Sequence, residues 1–279
     1  MILLTGGRGA AATQLLPLLR AAGLPVRVGS AEPAALDLPA GVPAVALDLT
    51  DPTTFPAALD GVTSVFLYAS PQHAGAFADA AHRAGVTHVV LLSSAAVLGP
   101  APEDSPLARA HLDAEHALLA SPVATTVLRP GSFAANARGW AWAVRAGRPV
   151  SLPYPEAHSD PLHERDLAEA AFAVLTDPRH RGGLFTLTGP ESLTFTQQLD
   201  QLAAATGAPV AVRRVTRDAW KRETADYIPA AYADALLDWW ASHDGRPVPL
   251  TGTVQALTGH PARPFATWAA DHAADFKAP

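Results

Sequence analysis

A run of small residues follows the first apolar segment of the chain and constrains the fold more than any other feature. Ile2-Leu3-Leu4 indicates a buried strand, and a helical pattern runs from Ala10 to Ala22 and ends at Gly23. Between them, Gly6 permits a tight turn and Gly9 lets the backbone approach a pyrophosphate. Backbone amides at the start of the helix can receive the anion. The pattern predicts a nucleotide-binding turn with contacts from Thr5, Gly6, Gly7, Arg8, Gly9 and Ala10.

Short apolar runs then alternate with helical patterns, which is typical of βα units in a parallel sheet. The patterns predict strands at 2–4, 26–28, 44–47, 62–68, 89–92, 125–128 and 184–187. They predict helices at 10–22, 55–59, 73–84, 105–119, 165–175, 197–205, 232–240 and 267–276. This order indicates an α/β fold with a Rossmann-type doubly wound parallel sheet, in which ligands bind at the carboxyl ends of the strands.

Composition excludes several classes of function. The 279 residues contain no cysteine, so the chain has no disulfide, thiolate nucleophile or sulfur-ligated metal. The histidines show no metal-ligand spacing, and the chain has no Gly-x-Ser-x-Gly motif of a hydrolase, so we expect no catalytic metal. A net charge of −6 has the wrong sign for a nucleic-acid surface. No apolar stretch is long enough to span a bilayer and no basic leader precedes the first strand, so we expect a cytoplasmic protein without nucleic-acid or membrane partners.

The end of the second predicted strand normally distinguishes NAD from NADP. A carboxylate there holds the ribose 2′-hydroxyl, whereas an arginine accepts a 2′-phosphate. Here the strand runs into Val28-Gly29-Ser30 without an acid, and Glu32 lies slightly too far along the chain. Arg8 and Ser30 could together hold a phosphate, so the sequence favours NADP, with NAD as the alternative.

The ends of the later strands complete the predicted cofactor site. Asp48 and Leu49 follow the third strand, where Asp48 is placed to meet the adenine edge. An aspartate at this point could equally cap the next helix. We also assign Tyr68, Ser93 and Arg129 to the cofactor site, because each stands at the carboxyl end of a predicted strand.

Further motifs extend along nearly the whole chain. They are Gly-Val-Thr-Ser-Val-Phe-Leu at 61–67, Leu-Leu-Ser-Ser-Ala-Ala-Val at 91–97, Leu-Arg-Pro-Gly-Ser-Phe-Ala-Ala-Asn at 128–136, Leu-Thr-Gly-Pro-Glu-Ser-Leu-Thr at 187–194 and Leu-Thr-Gly-His-Pro-Ala-Arg-Pro-Phe-Ala-Thr-Trp at 257–268. Together with the glycine loop, the chain resembles the NmrA-like, atypical short-chain dehydrogenases/reductases, and specifically their actinobacterial oxidoreductase branch.

The resemblance implies a Rossmann domain with a smaller carboxyl-terminal substrate lobe. We assign residues 1–150 to an NAD(P)-binding Rossmann domain, expect residues 160–190 to return to its sheet, and assign residues 191–279 to a mainly helical substrate-binding lobe. The resemblance also implies NAD(P)H-dependent hydride transfer to quinones, azo compounds or carbonyls. Other family members only bind the dinucleotide and report redox state. A regulator therefore remains an alternative, as does a biosynthetic tailoring ketoreductase or dehydratase.

The proton-donating pair of the wider superfamily is missing from this chain. In that superfamily a tyrosine donates the proton and a lysine four residues later lowers the tyrosine pKa. The only lysines are Lys221 and Lys277, and neither lies four residues after a tyrosine. Counting back from Arg129 along the preceding helix places Leu107 at the tyrosine position and His111 at the lysine position.

Ser94 and His111 are therefore the predicted catalytic residues. Ser94 stands where the superfamily has its serine, and His111 could bind the nicotinamide ribose or donate a proton, given an ordinary pKa of about 6.5. Glu115 lies one helical turn later and is expected to orient His111. The alternatives are a surface histidine in an i,i+4 pair and a serine that only satisfies backbone groups.

Residues after the sixth strand are expected to line the substrate pocket. Phe133, Asn136 and Trp140 follow that strand, and Tyr154 and His158 lie on the next loop. An aromatic pocket with few polar groups suits a flat, hydrophobic molecule. We therefore expect a small apolar or aromatic substrate and a monomer or homodimer, although each aromatic residue could instead belong to the core.

Overall fold

A seven-stranded parallel sheet forms the centre of the protein, a computed structural model of which describes residues 1–277. The strands are β1 (Ile2–Leu4), β2 (Val26–Ser30), β3 (Ala44–Ala46), β4 (Ser64–Tyr68), β5 (His88–Leu92), β6 (Ala124–Pro130), β7 (Val150–Leu152), β8 (His158–Ser159), β9 (Leu184–Leu187), β10 (Leu193–Thr194) and β11 (Val212–Arg214). The order in the central sheet is β3-β2-β1-β4-β5-β6-β9, and β8 with β10 and β7 with β11 form two small sheets. Because the chain runs outward from β1 to β3 and returns beside β1 as β4, the topological switch point lies between β1 and β4.

Helices cover both faces of the central sheet. They are α1 (Ala10–Ala21), α2 (Phe55–Leu59), α3 (Ala74–Arg83), α4 (Arg109–Leu119), α5 (Ala141–Arg145), α6 (Glu164–Thr176), α7 (Phe195–Thr206), α8 (Arg217–Thr224), α9 (Ala230–Ser242), α10 (Thr253–Thr258) and α11 (Phe265–Asp271). Residues of α1, α6 and α10 pack in one core cluster, and residues of α2, α3 and α4 pack in another. This arrangement confirms the predicted doubly wound Rossmann-type α/β fold.

The first βα unit follows directly from its sequence. All three residues of β1 are buried, as expected for a strand covered on both faces. In α1, Ala11, Leu15 and Leu19 recur at four-residue spacing and form the buried face, whereas Pro17 lies on the exposed face inside the helix. Gly23 follows the helix with φ of 69°, a conformation that glycine adopts without strain.

A third core cluster lies outside the central sheet and includes residues on both sides of the predicted boundary at residue 150. Residues 134–152 contribute Ala134, Val150 and Leu152 to a cluster with Phe195 and Trp268. The segment after β6 therefore packs with α7 and α11, because its apolar side chains join the same cluster. In contrast, α6 and β9, which fall within residues 160–190, belong to the central fold.

Several predicted helices have different bounds in the structure. The helix predicted at 105–119 begins at Arg109, after a turn that the Ser105 carbonyl closes by accepting from the Arg109 amide at 2.8 Å. The helix predicted at 267–276 is α11 followed by a separate 3-10 turn over Ala273–Phe276. The helix α8 and the strand β7 have no counterpart among the predictions. Within residues 1–277, no helix has both the length and the apolar character needed to cross a bilayer.

Candidate active site

The glycine loop lies at the topological switch point, between the carboxyl ends of β1 and β4. Gly6 has φ of 61°, and the Gly6 carbonyl accepts a hydrogen bond from the Gly9 amide at 2.7 Å, which closes the turn. Gly9 then precedes α1 in an extended conformation, without a side chain that could cap the helix. The first bond of the helix ladder joins the Thr13 amide to the Gly9 carbonyl at 3.0 Å. The three preceding amides, those of Ala10, Ala11 and Ala12, remain outside the ladder and form the expected anion-binding end of a helix.

The glycines of this loop have no room for side chains, because Tyr68 and Val28 already lie against the loop backbone. A Cβ at Gly6 would lie 2.7 Å from Cδ2 of Tyr68, and a Cβ at Gly9 would meet the Tyr68 hydroxyl. A Cβ at Gly7 would collide with Val28 of β2. Because the loop has no Cβ at these three positions, its own side chains do not block the close backbone approach that a dinucleotide pyrophosphate requires.

The groups expected to discriminate NADP from NAD lie together beside β2. Arg8 Nη1 lies 3.5 Å from Glu32 Oε2, and both side chains are mostly exposed. The Ser30 hydroxyl accepts a hydrogen bond from the Glu32 amide at 3.1 Å. Although Glu32 lies beyond the strand in sequence, the turn brings its carboxylate to Arg8, so the site presents both a cation and an anion near the expected ribose.

Asp48 forms hydrogen bonds within its own loop. Its carboxylate accepts from the Thr50 amide at 2.8 Å and the Thr50 hydroxyl at 2.7 Å, and these bonds lower the pKa of Asp48. The residue that caps the next turn is Asp51, which accepts from the Thr53 amide. Leu49 packs against the core cluster on that face of the sheet.

The carboxyl ends of β5 and β6 are joined through one buried carboxylate. Glu115 Oε1 accepts from the Ser93 hydroxyl at 2.5 Å and from Arg129 Nε at 3.0 Å, while Glu115 Oε2 accepts from Arg129 Nη2 at 2.5 Å. Glu115 is only 1% exposed. Its hydrogen bond raises the pKa of Arg129. Two residues predicted to contact the cofactor are thus held by a third.

This network corrects the role predicted for Glu115 as the partner of His111. Both carboxylate oxygens are used by Ser93 and Arg129, because the inner face of α4 lies over the ends of β5 and β6. His111 Nδ1 is buried without a hydrogen-bond partner among the described residues. Burial lowers the pKa of His111, and the nearby Glu115 charge acts in the opposite direction. His111 is therefore a neutral imidazole at neutral pH, held by packing.

Ser94 caps a short helical turn. Its hydroxyl oxygen accepts from the Ala96 amide at 3.2 Å at the start of the 3-10 helix Ala95–Leu98. This satisfies backbone, as the alternative interpretation of Ser94 expects, and leaves the hydroxyl proton available for another acceptor.

The five predicted substrate residues do not form one group. Trp140 and Tyr154 pack against the core cluster that contains Phe195 and Trp268, and Trp140 meets Phe195 edge-to-face at 5.8 Å. Phe133 instead packs against the cluster under the central sheet. His158 Nδ1 lies 3.1 Å from the Ser192 hydroxyl at the small β8–β10 sheet. Asn136 lies on the 3-10 helix Ala134–Trp140.

A buried aspartate at the same edge has no counterpart among the predictions. Asp160 is 6% exposed, and its Oδ1 accepts from the Ser132 amide at 2.9 Å, just beyond β6. A side chain at Gly131 would collide with the Asp160 carboxylate. Burial raises the pKa of Asp160 to about 6, against the lowering effect of the Ser132 hydrogen bond. The sequence Ser-Asp-Pro suggests a turn and gives no signal of this burial.

A guanidinium fills the cluster of ligand-type side chains formed by Asp166, Glu169 and His260. Arg263 Nη2 binds Glu169 Oε1 at 2.8 Å, and Arg263 Nη1 binds Asp166, which is fully buried. These bonds connect α6 to the segment before α11. The cluster therefore acts as an ion-pair network between two distant parts of the chain.

Comparisons with known proteins agree with the geometry. The model of a family described as NAD(P)H-binding matches residues 6–178. The chain is 35% identical over 281 residues to the (4-alkanoyl-5-oxo-2,5-dihydrofuran-3-yl)methyl phosphate reductase of Streptomyces griseus, covering 99% of each chain. It is 35% identical over 291 residues to the NAD(P)H azoreductase of Xenophilus azovorans, covering all of both chains. An NADPH-dependent quinone oxidoreductase from Escherichia coli, solved with NADPH, superposes with a TM-score of 0.81 at 25% identity, covering 97% of this chain and 99% of the other.

Proposed function

We propose, on the premise that the chain belongs to the NAD(P)H-binding family, that it passes a hydride from NADPH to small, flat, apolar acceptors of the quinone and azo type. The chain is an NAD(P)H-dependent oxidoreductase, as the resemblance implies, and the NmrA-like assignment is confirmed. The proposal concerns the acceptor, the preferred cofactor and the residues that act. It includes the predicted cytoplasmic location and a monomer or homodimer as the working form.

The observation that carries the proposal is the glycine loop at the β1/β4 switch point, followed by the first amides of α1, which lie outside the hydrogen-bond ladder of the helix. We assign the pyrophosphate to the loop from Thr5 to Ala10, and the adenosine end to Ser30, Asp48 and Leu49. The bound dinucleotide supplies the hydride, which is the difficult part of the chemistry. The protein would position the acceptor beside the nicotinamide, place charged groups near it and exclude water from the site.

NADPH is the proposed cofactor because Arg8 is free to turn from Glu32 to a 2′-phosphate. The Arg8–Glu32 pair is long, at 3.5 Å, and exposed, so exchanging partners costs little. Glu32 disfavours a second negative charge nearby. The site would therefore accept NADH as well, with lower efficiency. The Escherichia coli relative was solved with NADPH, and the azoreductase is named for both cofactors.

The Ser93–Glu115–Arg129 network is proposed to fix the strand ends that face the nicotinamide. Because Glu115 is buried and its two oxygens hold side chains from two neighbouring strands, Ser93 and Arg129 cannot move independently. Arg129 remains partly exposed and keeps its charge. We assign the network a positioning role, which leaves Ser94 and His111 as the groups that reach the reacting atoms.

Ser94 would donate its hydroxyl proton to an oxygen or nitrogen of the acceptor as negative charge develops there. His111, as a neutral imidazole, would bond the nicotinamide ribose through a ring nitrogen, in the place where the superfamily has a lysine. A quinone or azo acceptor needs orientation more than proton transfer, since water can protonate the reduced product. The absence of a tyrosine–lysine pair is therefore compatible with this class of acceptor.

A lactone acceptor is a second candidate, in line with the biosynthetic tailoring alternative. The Streptomyces griseus relative, as similar as the azoreductase over the full length, is named for the reduction of a dihydrofuranone that carries a phosphate. The same hydride would then be delivered to an electron-poor carbon–carbon double bond. A charged phosphate needs arginine contacts, whereas a quinone does not, so the two candidates differ in their dependence on ionic strength.

A substrate panel with a binding control tests the proposal. The protein is mixed with NADPH or NADH and with quinones, azo dyes, aldehydes and an unsaturated lactone with and without a phosphate. We expect oxidation of NADPH with quinones or azo dyes at a higher kcat/KM than with NADH. Gly9→Val should abolish NADPH binding, while Gly75→Val, which places a side chain in open space on α3, should retain it. Tight NADPH binding without turnover of any acceptor would instead favour the regulator.

A further inference from the structure

Tyr68 occupies the part of the glycine loop that is shaped for a pyrophosphate. The residue ends β4, directly across the switch point from the loop, and its amide donates to the Thr5 hydroxyl at 2.9 Å. Its ring extends across the loop, so that a Cβ at Gly6 would lie 2.7 Å from Cδ2 and 2.9 Å from Cε2. The ring thus fills the space that Gly6 and Gly9 keep clear of their own side chains.

The Tyr68 hydroxyl lies against the amino end of α1. A Cβ at Gly9 would meet the hydroxyl oxygen first and the adjoining ring carbon second. Burial raises the pKa of Tyr68 above its ordinary value of 10, while the amides of Ala12 and Ala11 act in the opposite direction. The hydroxyl oxygen therefore faces the same two amides that an anion at this helix terminus would use.

The Tyr68 hydroxyl and a dinucleotide pyrophosphate cannot both lie at the amino end of α1. The second glycine of a dinucleotide loop exists so that the pyrophosphate can contact the backbone, and the Tyr68 hydroxyl lies against the space beside Gly9 where a Cβ would stand. An amide directed at one oxygen cannot serve a second oxygen at the same place. Tyr68 is only partly buried, although its ring packs against Phe66 of β4 and the core cluster under the sheet, so its side chain gives up these contacts when it leaves the loop.

We propose that Tyr68 competes with the dinucleotide for the pyrophosphate position, so that its side chain must rotate out of the loop before the cofactor can bind. Tyr68 thereby sets the affinity and the association rate of the cofactor, in place of the direct holding role that the sequence predicts. This inference rests on the proposed function, because it requires a dinucleotide in the loop. It assigns Tyr68 to binding and leaves the hydride step unchanged.

Stopped-flow and equilibrium fluorescence with NADPH test the inference without measuring turnover. Tyr68→Phe retains the ring and its edge-to-face contact with Phe66 at 5.7 Å, but removes the oxygen that faces the amides. We expect the variant to bind NADPH about fivefold more tightly, equivalent to about 1 kcal/mol for one hydrogen bond, mainly through faster association. Tyr68→Ala removes the ring as well and should associate faster still. Tyr227→Phe, at an exposed tyrosine, is the matched control and should bind as the wild type does.

Ligand fragments identify which part of the dinucleotide Tyr68 opposes. ADP contains the pyrophosphate, and we expect Tyr68→Phe to bind it more tightly than the wild type. Adenosine 2′-monophosphate lacks the pyrophosphate, and its affinity should be the same for both proteins. Equal or weaker binding of NADPH by Tyr68→Phe would overturn the inference, as would an equal gain for adenosine 2′-monophosphate. If the wild type binds NADPH and Tyr68→Phe binds it no more tightly, only the inference is disproved. If the wild type binds no dinucleotide, both the proposed function and the inference are disproved.

Discussion

Glu115 and Arg129 form a two-point ion pair beneath the carboxyl edge of the sheet, with Nε–Oε1 at 3.0 Å and Nη2–Oε2 at 2.5 Å. The Glu115 side chain is 2% exposed and that of Arg129 is 16% exposed. Removing one member of such a buried pair leaves the other charge without compensation.

Glu115→Gln should therefore destabilise the fold. We expect the free energy of unfolding to fall by about 3 kcal/mol, as for other buried pairs broken at one partner. The measurement is urea denaturation at neutral pH. Asp113→Asn breaks the exposed Arg109–Asp113 pair on the same helix and should change stability by about 0.5 kcal/mol or less. Equal losses in the two variants would contradict a special role for Glu115.

Asp160 should make stability depend on pH in the direction opposite to most carboxylates. Burial raises the pKa of folded Asp160 from 3.8 to about 6, so the folded chain binds the proton more tightly than the unfolded chain. Its contribution is most favourable below pH 4 and is lost as the pH rises from about 4 to about 6. Asp160→Asn cannot ionise, and its stability relative to the wild type should rise over this interval by on the order of 2–3 kcal/mol. Chemical denaturation of both proteins between pH 4 and pH 8 gives the difference, and a constant difference would refute the prediction.

Arg8 should determine the preference for NADPH. Arg8→Ala removes the charge proposed to receive the 2′-phosphate, and hydrogen bonds to charged groups correspond to about tenfold or more in affinity. We expect the ratio of kcat/KM for NADPH to that for NADH to fall about tenfold, with the NADH value nearly unchanged. Arg20→Ala, at an exposed arginine of α1 that donates to the Ala40 carbonyl, serves as the control. A parallel loss for both cofactors would show that Arg8 does not read the phosphate.

His111 should affect turnover more than binding. Burial lowers its pKa, so the neutral form persists to a lower pH than it does for an exposed histidine. His111→Ala should lower kcat about a hundredfold if the imidazole orients the nicotinamide ribose, and the acid-side decline of kcat should disappear. His116→Ala alters an exposed histidine on the same helix and should retain wild-type kinetics. An unchanged kcat in His111→Ala would leave the reaction to Ser94 and orientation alone.

Sequence patterns predict those parts of the molecule whose structure depends on residues close together in the sequence. The strand, the glycine turn and the helix from Ile2 to Ala21 follow one another directly, and each carries its own periodicity or turn signal. The alternation of strands and helices predicts parallel strands joined by right-handed βα connections, whereas the structure shows which strands are neighbours. The parallel sheet and the nucleotide loop were accordingly predictable, as was the confirmed NAD(P)H-dependent oxidoreductase.

Contacts across long stretches of sequence were not predictable in the same way. Glu115 is four residues from His111 in sequence, yet its bonds go to Ser93 and Arg129, 22 and 14 residues away. The burial of Asp160 depends on Ser132, 28 residues earlier, and no local pattern encodes it. The Tyr68 ring lies against Gly6 and Gly9, about 60 residues earlier in the sequence, because β4 is the neighbour of β1 in the sheet. Such features arise from tertiary packing, which a single sequence does not display.

The Arg263 network has a consequence for the order in which the protein can mature. The Asp166 carboxylate is fully buried in α6, and its partner Arg263 is 97 residues further along the chain. During synthesis from the amino terminus, the ribosome releases α6 well before Arg263. Until that arginine arrives, α6 carries buried negative charge without a counterion and cannot settle firmly on the sheet. The helix α6 therefore reaches its final position on the sheet only after the chain has been made as far as Arg263, 97 residues beyond Asp166.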